Sequence, residues 1–353
     1  MNKSISPYCK PPRGHWWLRL AGMSVLVNRR GCLAGLILGM LATFVGVAGL
    51  SIGTPLLSAG EVLEALAGNG DPFNIFMLHE LRLPRLEAGL LSGAALGVGG
   101  CLLQTLARNR LATPGIIGID DGATAFAVAS IVAIPTSLAP PVLALLGAAT
   151  AAALAFGLGG GGSRGYRFIV VGIAIGALFG ALTSFMLART DIDSANLAYP
   201  WTVGSLNARS PSTVVVLAVC LAVCLPIAKV LGRQLQLLRF SDAVATGLGT
   251  PVQRTRVAIL VVTVFLTACA VAVAGPVGLV SLIAPEVARH LTGHRGVPII
   301  NSALAGALLM IAADWVGRTA FAPVEIPVGV ITAIVGGPYL LWILLREPRV
   351  TGR

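Results

Sequence analysis

The chain has 353 residues, of which 56% are hydrophobic and only 11% charged, with a mean hydropathy of +0.87. Soluble domains carry about 25% charged residues, so these charges cannot cover a water-facing surface, and the pair of soluble domains that length alone suggests is excluded. The net charge of +11 would suit a nucleic-acid partner in a soluble protein, but no basic face with interleaved aromatics is present, and the cations fall in short gaps between apolar runs. Lipid is the expected solvent, and the fold class is all-α.

In chain order, about thirty basic, acid-free residues come first, including Lys3, Lys10, Arg13, Arg19, Arg29 and Arg30. The apolar run from near Gly31 is a full span, too long for the core of a cleavable signal. Further spans are predicted over Leu86–Leu106, Ile116–Ile134, Leu138–Phe156 and Phe168–Met186, and from near Val214, Val257, Ile299 and Pro327. A shorter stretch, Gly275–Leu291, brings the expectation to about ten crossings. The domain organisation expected is a basic cytoplasmic segment (1–30), one transmembrane domain (31–346) and a cytoplasmic tail (347–353). With both termini inside, every Lys and Arg except Arg82, Arg85, Arg189, Arg209 and Arg318 lies at a cytoplasmic end or loop, as the positive-inside bias requires.

Small residues recur at every fourth position, as Gly89, Gly93 and Gly97 in the second span and Gly172, Gly176 and Gly180 in the fifth. In lipid such stripes let helix backbones approach closely. Tight packing and a sliding translocation path are both open readings. Cys220 and Cys224 share a helix face as small buried thiols. No cysteine or histidine spacing suits a metal, and no cofactor is expected. A phosphate-binding loop is missing: the nearest string, Gly157 to Arg164, lacks the lysine. No nucleophile elbow or zinc-protease motif is present, so no enzyme activity is expected of this chain.

The stretch Arg82 to Ala123 reads RLPRLEAGLLSGAALGVGGCLLQTLARNRLATPGIIGIDDGA. It closely resembles the FecCD family, the permeases of iron–siderophore, haem and cobalamin ABC importers. That family opens its second span with R-x-P-R, ends it L-L-Q at the equivalent of Gln104, and turns through N-P-L-A-x-P-x-x-L-G. Ordered matches continue through Gly275-Pro276-Val277-Gly278-Leu279, Ala284-Pro285, Ala288-Arg289, His294-Arg295, Ala313-Asp314, and Glu325-Ile326-Pro327-Val328-Gly329 to Trp342. Departures are Arg110 for the family's proline, Asp120 and Asp121 for small polar residues, and Glu286 for a frequent histidine.

The resemblance implies an importer permease without chemistry of its own. Its expected partners are a cytoplasmic ABC ATPase dimer, an external substrate-binding protein, a second identical or related permease, and membrane lipid. Leu238, Asp242, Ala245 and Gly249 resemble the coupling motif that docks into the ATPase, although a plain solvated connector also fits that loop. Arg82, Arg85 and Arg318 match positions that receive glutamates of the binding protein, a task suited to guanidinium; snorkelling at the interface is the other reading. Asp314 stands one turn before Arg318, which predicts an intrahelical ion pair, with a functional intramembrane acid as the alternative. Asp120 and Asp121 are expected to favour a helix N-terminus.

Overall fold

The computed structural model describes residues 15–20, 23–53, 55–132, 139–159, 166–207, 210–293 and 296–346. A two-stranded antiparallel hairpin, His15–Leu20 paired with Met23–Asn28, was not expected in the basic segment. Every regular element after it among the described residues is helical: α1 (Arg29–Ser51), α2 (Ala59–Leu66), α3 (Pro72–Phe76), a π turn (Met77–Arg82), α4 (Leu83–Ala107), α5 (Ile119–Val132), α6 (Pro140–Leu158), α7 (Tyr166–Ala188), α8 (Ile192–Val203), α9 (Pro211–Leu237), α10 (Asp242–Gly247), α11 (Val252–Ala274), α12 (Gly278–Thr292), α13 (Ile299–Thr319) and α14 (Val328–Arg346).

Each of the ten expected spans has a helix: α1, α4 to α7, α9 and α11 to α14. Seven helical stretches are long and apolar enough to cross a membrane. The 14 residues of α5 and 15 of α12 reach only about 21–23 Å at 1.5 Å per residue, short of a core of about 30 Å. Two boundaries differ from expectation for a backbone reason. The run expected from Ile116 starts as a separate 3-10 turn, Pro114–Ile117, before α5. The run expected from Gly275 becomes helical only at Gly278, because Gly275 takes φ 74° and Pro276 follows it. Helix α11 starts five residues earlier than Val257, so Arg254 and Arg256 ride on a helix rather than in a loop.

α4 is the most enclosed span, packed against α13, α11, α12 and α9. Its glycines explain how. A Cβ on Gly93 would stand 2.3 Å from the Gly306 carbonyl oxygen, and one on Gly97 would stand 2.1 Å from that of Ser302. Gly89 is nearly as tight, 3.1 Å from Leu206 Cδ1. On α7, a Cβ at Gly172 would meet the Ile116 carbonyl at 2.4 Å, and one at Gly176 would meet Asp121 Oδ2 at 2.6 Å. Gly180 differs: among the described residues no atom lies within 4 Å of that place, so a methyl there meets open space.

Adding one methyl therefore gives opposite results at two glycines of similar sequence setting. Gly97→Ala must separate α4 from α13 and is expected to lower the thermal midpoint of the detergent-solubilised protein, at the scale of about 1–3 kcal/mol for an overpacked core. Gly180→Ala should leave the midpoint unchanged. Equal midpoints for both variants would show that α4 and α13 are not in backbone contact.

Candidate functional site

Two clusters of polar side chains stand at opposite ends of α4: Arg82, Arg85, Asp314 and Arg318 fall into one, and Gln104 and the segment 238–249 into the other, whereas Asp120 and Asp121 sit apart in the first turn of α5. At the first end, Leu83-Pro84 starts α4 directly from the π turn, which sets Arg82 and Arg85 beside the last turn of α13. Arg85 donates from Nε to Asp314 Oδ1 at 2.9 Å and from Nη1 to Glu325 Oε2 at 2.9 Å. Arg318 pairs with Asp314 Oδ2 at 3.2 Å and donates from Nη2 to the Gly49 carbonyl at 3.0 Å. The intrahelical Asp314–Arg318 pair is thus present, and Asp314 also serves a second cation from a helix 229 residues away in sequence.

Arg82 behaves differently. Its guanidinium donates to the carbonyls of Leu50 and Pro55, each at 2.5 Å, satisfying acceptors around the C-terminal end of α1 that the helix leaves open. Arg82, Arg85 and Asp314 are all largely enclosed, whereas the Glu325 side chain is 46% exposed. The cluster is an internal network whose accessible member is an acid.

At the other end of α4, Arg108 closes the helix in the left-handed region, with φ 51°. Its Nη2 donates to the carbonyls of Leu238 and Phe240, where α9 gives way to α10. Helix α10 is capped by Ser241, whose Oγ accepts from Val244 N at 3.4 Å. Leu238 and Ala245 are buried, and Asp242 is gripped by Arg256 Nη2 at 2.7 and 2.9 Å. Gly249 N donates to Thr246 O at 2.9 Å and Thr250 N to Ala245 O at 3.0 Å, a pair of bonds that ends the helix through a left-handed residue. Gly249 is that residue, with φ 81° and nothing within 4 Å of a would-be Cβ. Its requirement is conformational rather than steric.

The outward face of this segment carries a further, apolar feature. Phe240, Val244 and Leu248 are exposed at 59%, 48% and 60%. Their spacing of four was the available signal, hidden inside a loop conspicuous for its charge. Next to them a cavity of about 310 Å³ is lined by Gln104, Arg108, Arg110, Arg239 and Arg289, among others. Gln104 donates from Nε2 to the Leu282 carbonyl at 3.2 Å and accepts from Arg289. Glu286, buried, accepts from Arg289 Nε at 3.0 Å, with Arg110 Nη1 at 3.4 Å and His290 Nδ1 at 3.5 Å. The departures Arg110 and Glu286 therefore form one ion pair. Among the described residues no group of three or more His, Cys, Asp or Glu side chains could hold a metal ion. Residues 160–164 of the Gly-rich string, Arg209, His294 and Arg295 lie outside the described residues.

The sequence pattern of the FecCD transport family matches residues 40–346, across both clusters and all but the first part of α1. The chain belongs to the FecCD transport family. It is 34% identical over 332 residues to the ferric enterobactin transport system permease protein FepG of Escherichia coli (strain K12), covering 92% of this chain and 99% of that one. It is 36% identical over 326 residues to the Fe(3+)-citrate import system permease protein YfmE of Bacillus subtilis (strain 168), covering 91% and 97%. With the hemin transport system permease protein HmuU of Yersinia pestis it shares 36% identity over 278 residues, 76% of this chain and 82% of that one. Among solved structures, an ABC transporter of metal-chelate type in an inward-facing conformation superposes with a TM-score of 0.79 at 27% identity, covering 90% and 100%. As a FecCD member, the chain is a multi-pass membrane protein of a transport permease family.

The outer network predicts an asymmetry. Asp314→Ala leaves Arg85 and Arg318 enclosed without their shared countercharge, and breaking a buried ion pair costs about 3–5 kcal/mol. Its thermal midpoint should fall well below that of Glu325→Ala, which removes an exposed partner worth about 0–1 kcal/mol. Similar midpoints would mean that Asp314 is hydrated.

Proposed function

We propose that this chain is the membrane-spanning permease subunit of an ATP-binding-cassette importer that carries an iron–siderophore or related metal chelate into the cytoplasm. The observation that carries this reading is α10, a short capped helix projecting an apolar face from the end of α9, on a chain with no phosphate-binding loop. Hydrolysis then belongs to a separate cytoplasmic ATPase dimer, and α10 is the contact through which it moves the spans. The chain resides in the bacterial inner membrane with both termini cytoplasmic, which follows from the positive-inside bias. A second permease copy or a related chain completes the pathway. Haem or cobalamin import by the same mechanism is the alternative cargo; the relatives' names support iron chelates and haem. A secondary transporter fits less well, because midplane ion sites need charged or broken helices and the span centres here are almost free of charge.

Outside, Arg85 and Arg318 would dock an external binding protein by donating hydrogen bonds to its carboxylates, with Arg82 holding the helix ends in place. Glu325 occupies Arg85 in the meantime and is the group an incoming glutamate would displace. A charge-assisted bond contributes about 1.5–3 kcal/mol, so Arg85→Glu should weaken binding-protein affinity for the nanodisc-held complex by at least about tenfold, and Glu325→Gln should strengthen it. If neither substitution changes affinity while both proteins remain folded, docking lies elsewhere.

For the inner face, Gly249→Val and Asp242→Arg should leave membrane insertion intact but abolish uptake and the stimulation of the ATPase by loaded binding protein. The first forces a β-branched residue into the left-handed region; the second sets Arg against Arg256. Co-purification with the ATPase and its rate in reconstituted vesicles measure this. Wild-type stimulation in both variants would reduce α10 to a connector.

A further inference from the structure

A groove of about 580 Å³ runs between α1 and α9 and is floored by the first turns of α13. Its shape follows from small residues: Gly31 and Gly35 on α1 and Gly232 on α9 leave it without side-chain bulk. One wall carries Lys229 and Arg233, four residues apart and so on one helix face. Both are exposed, and among the described residues no acidic side chain lines the groove. Arg30 adds a third cation close by, its Nη1 3.2 Å from where a Gly293 Cβ would stand, next to the lining residue Thr292.

The floor also presents donors. Helix α13 has 21 residues and begins after Pro298, which offers no capping side chain. Among the described residues, the amides of Ile300 and Asn301 have no acceptor; Ile299 and Ser302 use the Val297 and Pro298 carbonyls. Asn301 spends its side chain on the Gly31 carbonyl, at 3.0 Å. An uncapped helix start beside two cations suits a phosphate. Around the mouth, Leu33, Leu36, Val230 and Ile300 are exposed at 59%, 59%, 60% and 45%. In a membrane protein these side chains face hydrocarbon.

We propose that this groove binds an anionic glycerophospholipid, its phosphodiester held by Lys229, Arg233 and the α13 N-terminus, with an acyl chain along Ile300 and Leu304. Charge complementarity selects the occupant: a zwitterionic lipid brings its own cation to a wall that already carries two, and inorganic phosphate leaves the aliphatic rim unfilled. With the termini cytoplasmic, the lipid belongs to the inner leaflet, where juxtamembrane cations meet anionic headgroups. The proposal depends on membrane insertion alone and is independent of cargo.

Cys32 makes the site directly measurable. It lines the groove and is exposed, whereas Cys101, Cys220, Cys224 and Cys269 are buried. In a Cys9→Ser background, the rate of maleimide labelling at Cys32 is measured in nanodiscs of phosphatidylcholine with increasing phosphatidylglycerol. Phosphatidylglycerol is expected to protect Cys32; inorganic phosphate added to pure phosphatidylcholine discs is not. Each cation at an anionic lipid surface contributes about fivefold, so Lys229→Gln/Arg233→Gln should raise the half-protecting fraction by about 30-fold. Arg254→Gln, an exposed cation away from the groove, should leave it unchanged. Both cations sit on the surface, so the variants fold, and thermal midpoints verify it. Protection that survives the double substitution overturns the proposal. So does protection by phosphate alone, which would make this a free-anion site, or protection that appears only when two copies associate, which would hand the groove to a second chain.

Discussion

The bundle rests on one constraint, the backbone-to-backbone contact of α4 with its neighbours. Lipid tails are as apolar as leucine, so burying apolar side chains gives membrane helices no drive to associate, and close packing must supply it. Gly93, Gly97 and Gly306 bring carbonyl oxygens of one helix to the Cα surface of the other. Gly100 extends the same contact to the Ser281 carbonyl of α12, where a Cβ would stand 1.8 Å away. With α4 fixed so firmly, the positions of Arg85 at one end and Gln104 and Arg108 at the other are fixed as well.

Charge is arranged to match. Asp314 and Glu286, both enclosed, are each shared by more than one cation. Sharing matters because a lone buried carboxylate would carry a desolvation cost of several kcal/mol. Each acid also joins separate helices: Asp314 links α13 to α4, and Glu286 links α12 to the turn after α4. These two shared acids thus stand at opposite ends of α4, and close packing holds the length between them.

Much of this was readable from the residues. Seven of the ten spans followed from hydropathy, since lipid makes apolar length a strict requirement, and the stripes at Gly93 and Gly97 followed from spacing. The family resemblance placed Asp242, Ala245 and Gly249 together, and the backbone at Gly249 supplies the physical reason for a glycine. What stayed hidden was long-range or conformational. The Arg85–Asp314 pair joins residues 229 apart, and no local pattern encodes it. Helix α8 is short and carries Asp193 and Pro200, so neither its length nor its hydropathy marked it. Gly180 shares the spacing of Gly172 and Gly176 but meets nothing, because periodicity gives the face of a helix and not the neighbour it faces. The exposed row Phe240, Val244 and Leu248 was obscured by adjacent charge.

Helix α4 is held at both ends, by Arg85 on α13 and Glu325 at one face and by Arg108 on the α9–α10 junction at the other. Between these clamps lie the 22 helical residues 86–107, about 33 Å at 1.5 Å per residue, with no proline among them to act as a hinge. Mechanically this is a strut with built-in ends. Such a strut has little slack: a tilt forced at one end reappears at the other instead of being absorbed along its length. The glycines that let it sit so close to α13 leave no compressible side-chain layer between them, so a shift of one presses directly on the backbone of the other. The apolar row on α10 is tied to the end of α4 by the Arg108 guanidinium, which bridges two carbonyls, and to α11 by the Asp242–Arg256 pair.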